Sequence, residues 1–232
     1  MGKVIGIVGG ISWESTAEYY RLFNQLANKS VNAWQQPPLL IDSLDFGVFV
    51  PLTHEKNWKA VDEHLLESAK RLVAGGAELI ILGANTTHIS FDAIQKEILV
   101  PMVDIRVAIA NQVKALGANS LALLGTQFVM NENFYQDKLR ELGIEVVTPN
   151  SDDQAYLQNL IYQELTRGIF REESRQEFIA IAQRCIDRGA QVVGLCCTEF
   201  GLLLGETEVP FQYLDSTRVH VEATLEISQI VE

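Results

Sequence analysis

The sequence predicts a two-lobed α/β protein in which mostly parallel sheets lie between layers of helices. Three observations predict it. Short apolar, β-rich runs alternate with helix-length stretches, the pattern of strands joined by crossover helices. The linkers are short and free of low-complexity sequence. The two halves also look alike: a strand ending in Gly10 matches one ending in Gly125, and the turn at Gly83–His88 matches Leu195–Glu199, with offsets of 115 for the first pair and 113 from Ala84 to Cys197. A duplicated unit predicts lobes at residues 1–113 plus 211–232 and at 114–210. Ligands in open α/β sheets lie beyond the carboxyl ends of the strands, so a cleft between the lobes is the expected site.

The elements follow in order. Val4–Val8 is a strand signal, then Gly9-Gly10 and a helix from about Trp13 to Asn28. Pro38–Phe46 reads as a second strand. Asn57 or Asp62 opens a long helix that stops at Gly75-Gly76, where glycine is the expected terminator. Glu78–Leu82 is a strand with a turn beyond it, and Val100–Ile105 and Ser120–Gly125 are further strands separated by a helix over Arg106–Leu116. In the second half Ile144–Val147 and Gln191–Gly194 read as strands, Asp152–Arg167 and Glu172–Arg188 as helices. Pro210–Asp215 is a last strand and a closing helix starts at Ser216.

Composition narrows the function. The chain has 232 residues, 47% hydrophobic and 21% charged, which is ordinary for a globular protein. Thirty acidic residues against 18 basic ones give a net charge of -12, which argues against a nucleic-acid partner but not against a small anion held by backbone amides. No apolar run reaches the ~18 residues of a membrane helix, and Met1-Gly2-Lys3 leads straight into a strand, so no membrane partner is expected. Three cysteines, with Cys196 and Cys197 adjacent, are no disulfide framework and suit a reducing cytoplasm. The four histidines show no metal-ligand spacing, so no metal is expected.

Three segments carry chemistry, each with a plainer reading beside it. Gly9-Gly10-Ile-Ser-Trp-Glu14 is either a tight turn or a set of amides, near Gly10 and Ser12, that holds an anion. Asn85-Thr86-Thr87-His88 either caps a helix or lines a site. Cys197, before Thr198 and Glu199 at a strand end, is either an inert buried thiol or a thiolate favoured by helix amides. Cys196 is expected to face the core and Cys185 to pack within a helix.

Together the segments Ile7–Thr16, Tyr19–Asn24, Asn85–His88, Leu124–Thr126, Phe134-Tyr135, Gly194–Glu199 and Leu214-Asp215 resemble the pyridoxal-phosphate-independent aspartate/glutamate racemase superfamily. The first of them is similar to the branch reading Gly-Gly-Met-Ser-Trp-Glu-Ser-Thr. The resemblance implies two pseudo-symmetric Rossmann-like domains with a cleft between them, a homodimer, no cofactor, and a small amino-acid or carboxylate substrate. It also implies chemistry by two bases on opposite faces of Cα, one thiolate removing the proton and one thiol returning it. Cys197 matches the second base. Gly10, Ser12, Asn85, Thr86, Thr87, Thr126, Thr198 and Glu199 are the implied substrate-binding residues, Glu199 as support for the Cys197 loop.

The sequence departs from the family at two places. The first base falls on Ala84, and a substrate-anchoring lysine falls on Tyr156. Three accounts of Ala84 stay open: a disabled variant, a one-base enzyme in which Cys197 works with water, Thr87 or His88, or different chemistry. Cofactor-free arylmalonate decarboxylases of the superfamily likewise keep only the second cysteine. The expected function is amino-acid racemisation of aspartate/glutamate type, impaired at Ala84; the alternatives are a one-cysteine decarboxylase or isomerase and a decayed binder of small carboxylates.

Overall fold

Five consecutive buried residues, Ile5–Gly9, form β1, an apolar run suited to a strand covered on both faces. The computed structural model of the chain describes residues 2–30 and 36–229, so Met1 lies outside them. After β1 come α1 (Trp13–Ser30), β2 (Leu39–Ser43), α2 (Phe46–His54), α3 (Trp58–Ala74) and β3 (Leu79–Leu82). A 3-10 turn over Thr86–Ser90, α4 (Phe91–Glu97) and β4 (Met102–Val103) follow. Then come α5 (Ile105–Ala115), β5 (Ser120–Gly125), α6 (Gln127–Asn131), α7 (Asn133–Glu141), β6 (Glu145–Val147) and α8 (Ser151–Gln163). The chain continues through a 3-10 turn at Leu165–Arg167, α9 (Glu172–Asp187), β7 (Val192–Cys196), α10 (Thr198–Leu204), β8 (Tyr213–Asp215) and α11 (Ser216–Ser228).

The chain divides into residues 1–104 with 220–232, and residues 105–219. The first unit holds a sheet of order β2-β1-β3-β4 and the second a sheet of order β6-β5-β7-β8. Every ladder in both is parallel. The orders are identical once four is added to each strand number, so the duplication read from the sequence is present in the topology. In the first unit, Ile5, Ile7, Tyr19, Phe23, Val221 and Leu225 pack on one side of the sheet and Val8, Ile80, Leu82, Leu65 and Phe49 on the other.

The structure corrects some boundaries. The segment Pro38–Phe46 is not one strand: β2 stops at Ser43 and Phe46 starts α2, because Asp45 caps that helix through Oδ1, which accepts the Gly47 amide at 2.8 Å. The strand expected over Val100–Ile105 shrinks to two residues. The helix expected to Arg167 ends at Gln163, and the 3-10 turn after it is closed by Gly168 at φ +70°. Asn57, rather than Asp62, caps α3 by accepting the Ala60 amide at 3.3 Å, and Gly75 ends it.

Candidate active site

In the first unit the site residues follow β1 and β3. Gly10 takes φ +83°, and a Cβ there would lie 2.2 Å from the Leu44 carbonyl oxygen, so only glycine fits. Its amide donates to Thr16 Oγ1 at 2.8 Å, and that hydroxyl donates to the Ser12 carbonyl at 3.1 Å. Ser12 Oγ accepts the Ser15 amide at 3.3 Å, and Ser15 Oγ donates to the Gly83 carbonyl at 2.7 Å, tying the start of α1 to the end of β3.

Ala84 and Asn85 come next, both buried, then half-buried Thr86. The Ala84 carbonyl accepts two hydrogen bonds, from Thr87 Oγ1 at 2.7 Å and from His88 Nδ1 at 3.0 Å. A carbonyl only accepts, so Nδ1 carries the proton. His88 is 1% exposed, stacked on Phe91 and edge-on to His220, with ring centres 5.8 and 5.5 Å away. His220 Nε2 donates to the Val103 carbonyl at 2.9 Å, leaving Nδ1 to accept the Tyr19 hydroxyl at 2.8 Å. Burial pushes the His220 pKa down to about 4, so this imidazole is neutral near pH 7.

In the second unit Gly125 pairs with Cys196 across β5 and β7, and Thr126 caps α6 by accepting the Val129 amide at 3.3 Å. Cys197 follows β7 directly and forms the extended cap of α10. Its thiol donates to Glu199 Oε2 at 3.0 Å, both residues being buried. Burial first, and the Glu199 carboxylate second, push the Cys197 thiol well above its ordinary pKa. This reverses the lowering expected from helix amides: α10 has seven residues, and burial together with the carboxylate facing the sulfur outweighs the partial charges of one short turn. The Thr217 hydroxyl donates to Thr198 Oγ1 at 3.5 Å. Cys196 is buried at 1% exposure, and burial pushes its thiol up to about 12; Cys185 is fully buried within α9.

One residue packed near Cys197 escaped the sequence reading. Tyr162, half-buried on α8, packs against the apolar cluster containing Cys197. Its phenol is pushed up by burial and then by the neighbouring Cys197 and Glu199 charges. No local motif marks it, since it precedes the cysteine by most of a helix-loop-helix. Tyr156, at the lysine position, is 36% exposed. Among the described residues no three His, Cys, Asp or Glu side chains gather to hold a metal ion, and no helix is long and apolar enough to cross a membrane.

The strand end after β7 thus carries a thiol–carboxylate couple, and the strand end after β3 a methyl group. Residues 8–224 match the family model of the Asp/Glu/hydantoin racemases. The chain belongs to that family. Among its relatives, the broad specificity amino-acid racemase RacX of Bacillus subtilis (strain 168) is 24% identical, with 96% of each chain covered. A solved candidate Asp/Glu racemase from Yersinia pestis is 32% identical with a TM-score of 0.90, covering 98% of this chain and 99% of that one. A solved aspartate racemase homologue from Pyrococcus horikoshii OT3 is 33% identical with a TM-score of 0.86, again over 98% and 99%. Membership of the racemase family makes the chain an enzyme of the isomerase class.

Proposed function

We propose that this racemase-family chain moves the α-proton of an amino acid with Cys197 as its working base, and that Ala84 stands where a second base would complete racemisation. The observation that carries the reading is the Cys197–Glu199 hydrogen bond at the carboxyl end of β7. Glu199 accepts the thiol proton, the thiolate takes the proton from Cα, and reversal returns it to the same face. The raised thiol pKa suits a resting acid form that is a strong base once ionised. The Ala84 methyl neither takes nor gives a proton. His88 and Thr87 make poor replacements, since both are buried and both donate to the Ala84 carbonyl. Ser12, Asn85, Thr86, Thr126 and Thr198 are the groups we assign to the substrate, while Gly10 and Thr87 shape the turns behind them. The chemistry uses no cofactor, and the location is cytoplasmic. The assembly is a homodimer, a reading supported by Trp13 and Tyr20, exposed at 70% and 52% one heptad apart on α1.

The test compares the chain with Ala84→Cys, following D/L interconversion by chiral chromatography and deuterium uptake at Cα by NMR. The expected results are deuterium uptake with retention in the parent chain and a gain of ~10²–10⁴-fold in racemisation in the variant. Rapid racemisation by the parent, or deuterium uptake that survives Cys197→Ser, overturns the proposal. Carbon dioxide release from a substituted malonate, without α-exchange on amino acids, selects the one-cysteine decarboxylase instead.

A further inference from the structure

The first unit holds a cavity of about 210 Å³ lined by Leu44, Asp45, Val48, Phe49 and His64. It adjoins the turn after β1. The Leu44 amide donates to the Gly9 carbonyl at 3.0 Å, and the Leu44 backbone lies against Gly10 closely enough to exclude a Cβ. Phe49 belongs to the same apolar cluster as Ile11 and Ala84. Leu44 therefore joins the cavity wall to the turn beyond the carboxyl end of β1.

The chemistry of that wall is selective. Leu44, Val48 and Phe49 make most of it apolar, His64 adds an imidazole, and among the described residues no Lys or Arg lines it. The Asp45 carboxylate on that wall accepts the Gly47 amide at 2.8 Å, and a negative charge held there repels an incoming carboxylate. Cavities of ~150 Å³ lined by Leu, Ile and Phe accept benzene, so this one has room for a branched aliphatic or aromatic side chain.

We propose that this cavity receives the side chain of the amino-acid substrate, and that the side chain is neutral and apolar, of the leucine or phenylalanine class, instead of the carboxylate of aspartate or glutamate. The inference rests on the α-proton-transfer reading above and narrows its substrate.

Calorimetric titration of the intact chain with L-alanine, L-leucine, L-phenylalanine and L-aspartate tests it. Leucine and phenylalanine are expected to bind at least ~10-fold more tightly than aspartate or alanine. Val48 is 47% exposed, so Val48→Trp fills the cavity from its solvent side; it is expected to erase the advantage of the large side chains over alanine. Tighter binding of aspartate than of leucine overturns the inference without need of any variant. So does a leucine advantage that survives Val48→Trp, and so does failure of every amino acid to bind. Leucine binding that Val48→Trp abolishes, with no α-exchange even in Ala84→Cys, supports the cavity assignment and overturns the proton-transfer reading alone.

Discussion

Acid is expected to destabilise the first unit through His220. Its imidazole is neutral and doubly hydrogen-bonded in the folded chain, with a pKa of about 4 against an ordinary 6.5. As the pH falls through 6.5 the unfolded chain takes up a proton that the folded chain refuses. The stabilisation is therefore complete above the unfolded value and is lost as the pH falls towards 4. At 1.36 kcal/mol per pKa unit, the separation of about 2.5 units amounts to roughly 3 kcal/mol. Against a typical stability of ~5–15 kcal/mol this is a large share. Trp13 and Trp58 belong to the first unit, so their fluorescence reports its unfolding. Urea unfolding in half-unit steps from pH 7 to pH 4, on the chain and on His220→Gln, isolates the effect as a difference in slope. The variant is expected to lose less stability, by up to ~1.4 kcal/mol per pH unit inside that window. Equal slopes, or an NMR titration of His220 with a midpoint near 6.5, would refute the reasoning.

Other outcomes follow from single contacts. Iodoacetamide at pH 7 is expected to label the protein slowly because the Cys197 thiol is held protonated, yet to reach Cys197 before Cys196 or Cys185, the two more buried thiols; peptide mass spectrometry reads the order, and prior labelling of Cys185 contradicts it. Glu199→Gln removes the adjacent negative charge and is expected to speed labelling at Cys197 while slowing α-exchange; equal labelling rates would mean that the carboxylate does not govern the thiol. Gly10→Ala places a methyl against the Leu44 carbonyl at a positive φ, and the strain and crowding are expected to cost about 2–5 kcal/mol in urea unfolding.

Much of the fold was legible because the core strands are apolar throughout: β1, β3, β5 and β7 are buried along their whole lengths. The edges were harder. β4 keeps only two residues, and β8 only three, so the apolar runs around them overstate their pairing. Helix α2 was hidden because its residues continue the apolar character of β2 and include Pro51, which reads as a breaker. At the site, Cys197 and Ala84 were visible as matched positions in a repeat, and Glu199 as the support of the cysteine loop. The charge state of the thiol was not. Local sequence displays the helix amides, whereas the burial that outweighs them is created by α8, α9 and the apolar cluster around Phe178 and Phe200. Tyr162 was invisible for the same reason, since tertiary packing alone brings it beside the sulfur.

The turn after β3 is anchored through the Ala84 carbonyl, which Thr87 and His88 grip together, and not through anything the side chain at that position supplies. Folding and chemistry are therefore decoupled there. A small residue other than alanine is therefore expected to keep the same backbone path. The consequence for the proposed chemistry is practical: a cysteine at residue 84 leaves both grips on the carbonyl in place, so Ala84→Cys is expected to test a reactive group without refolding the turn.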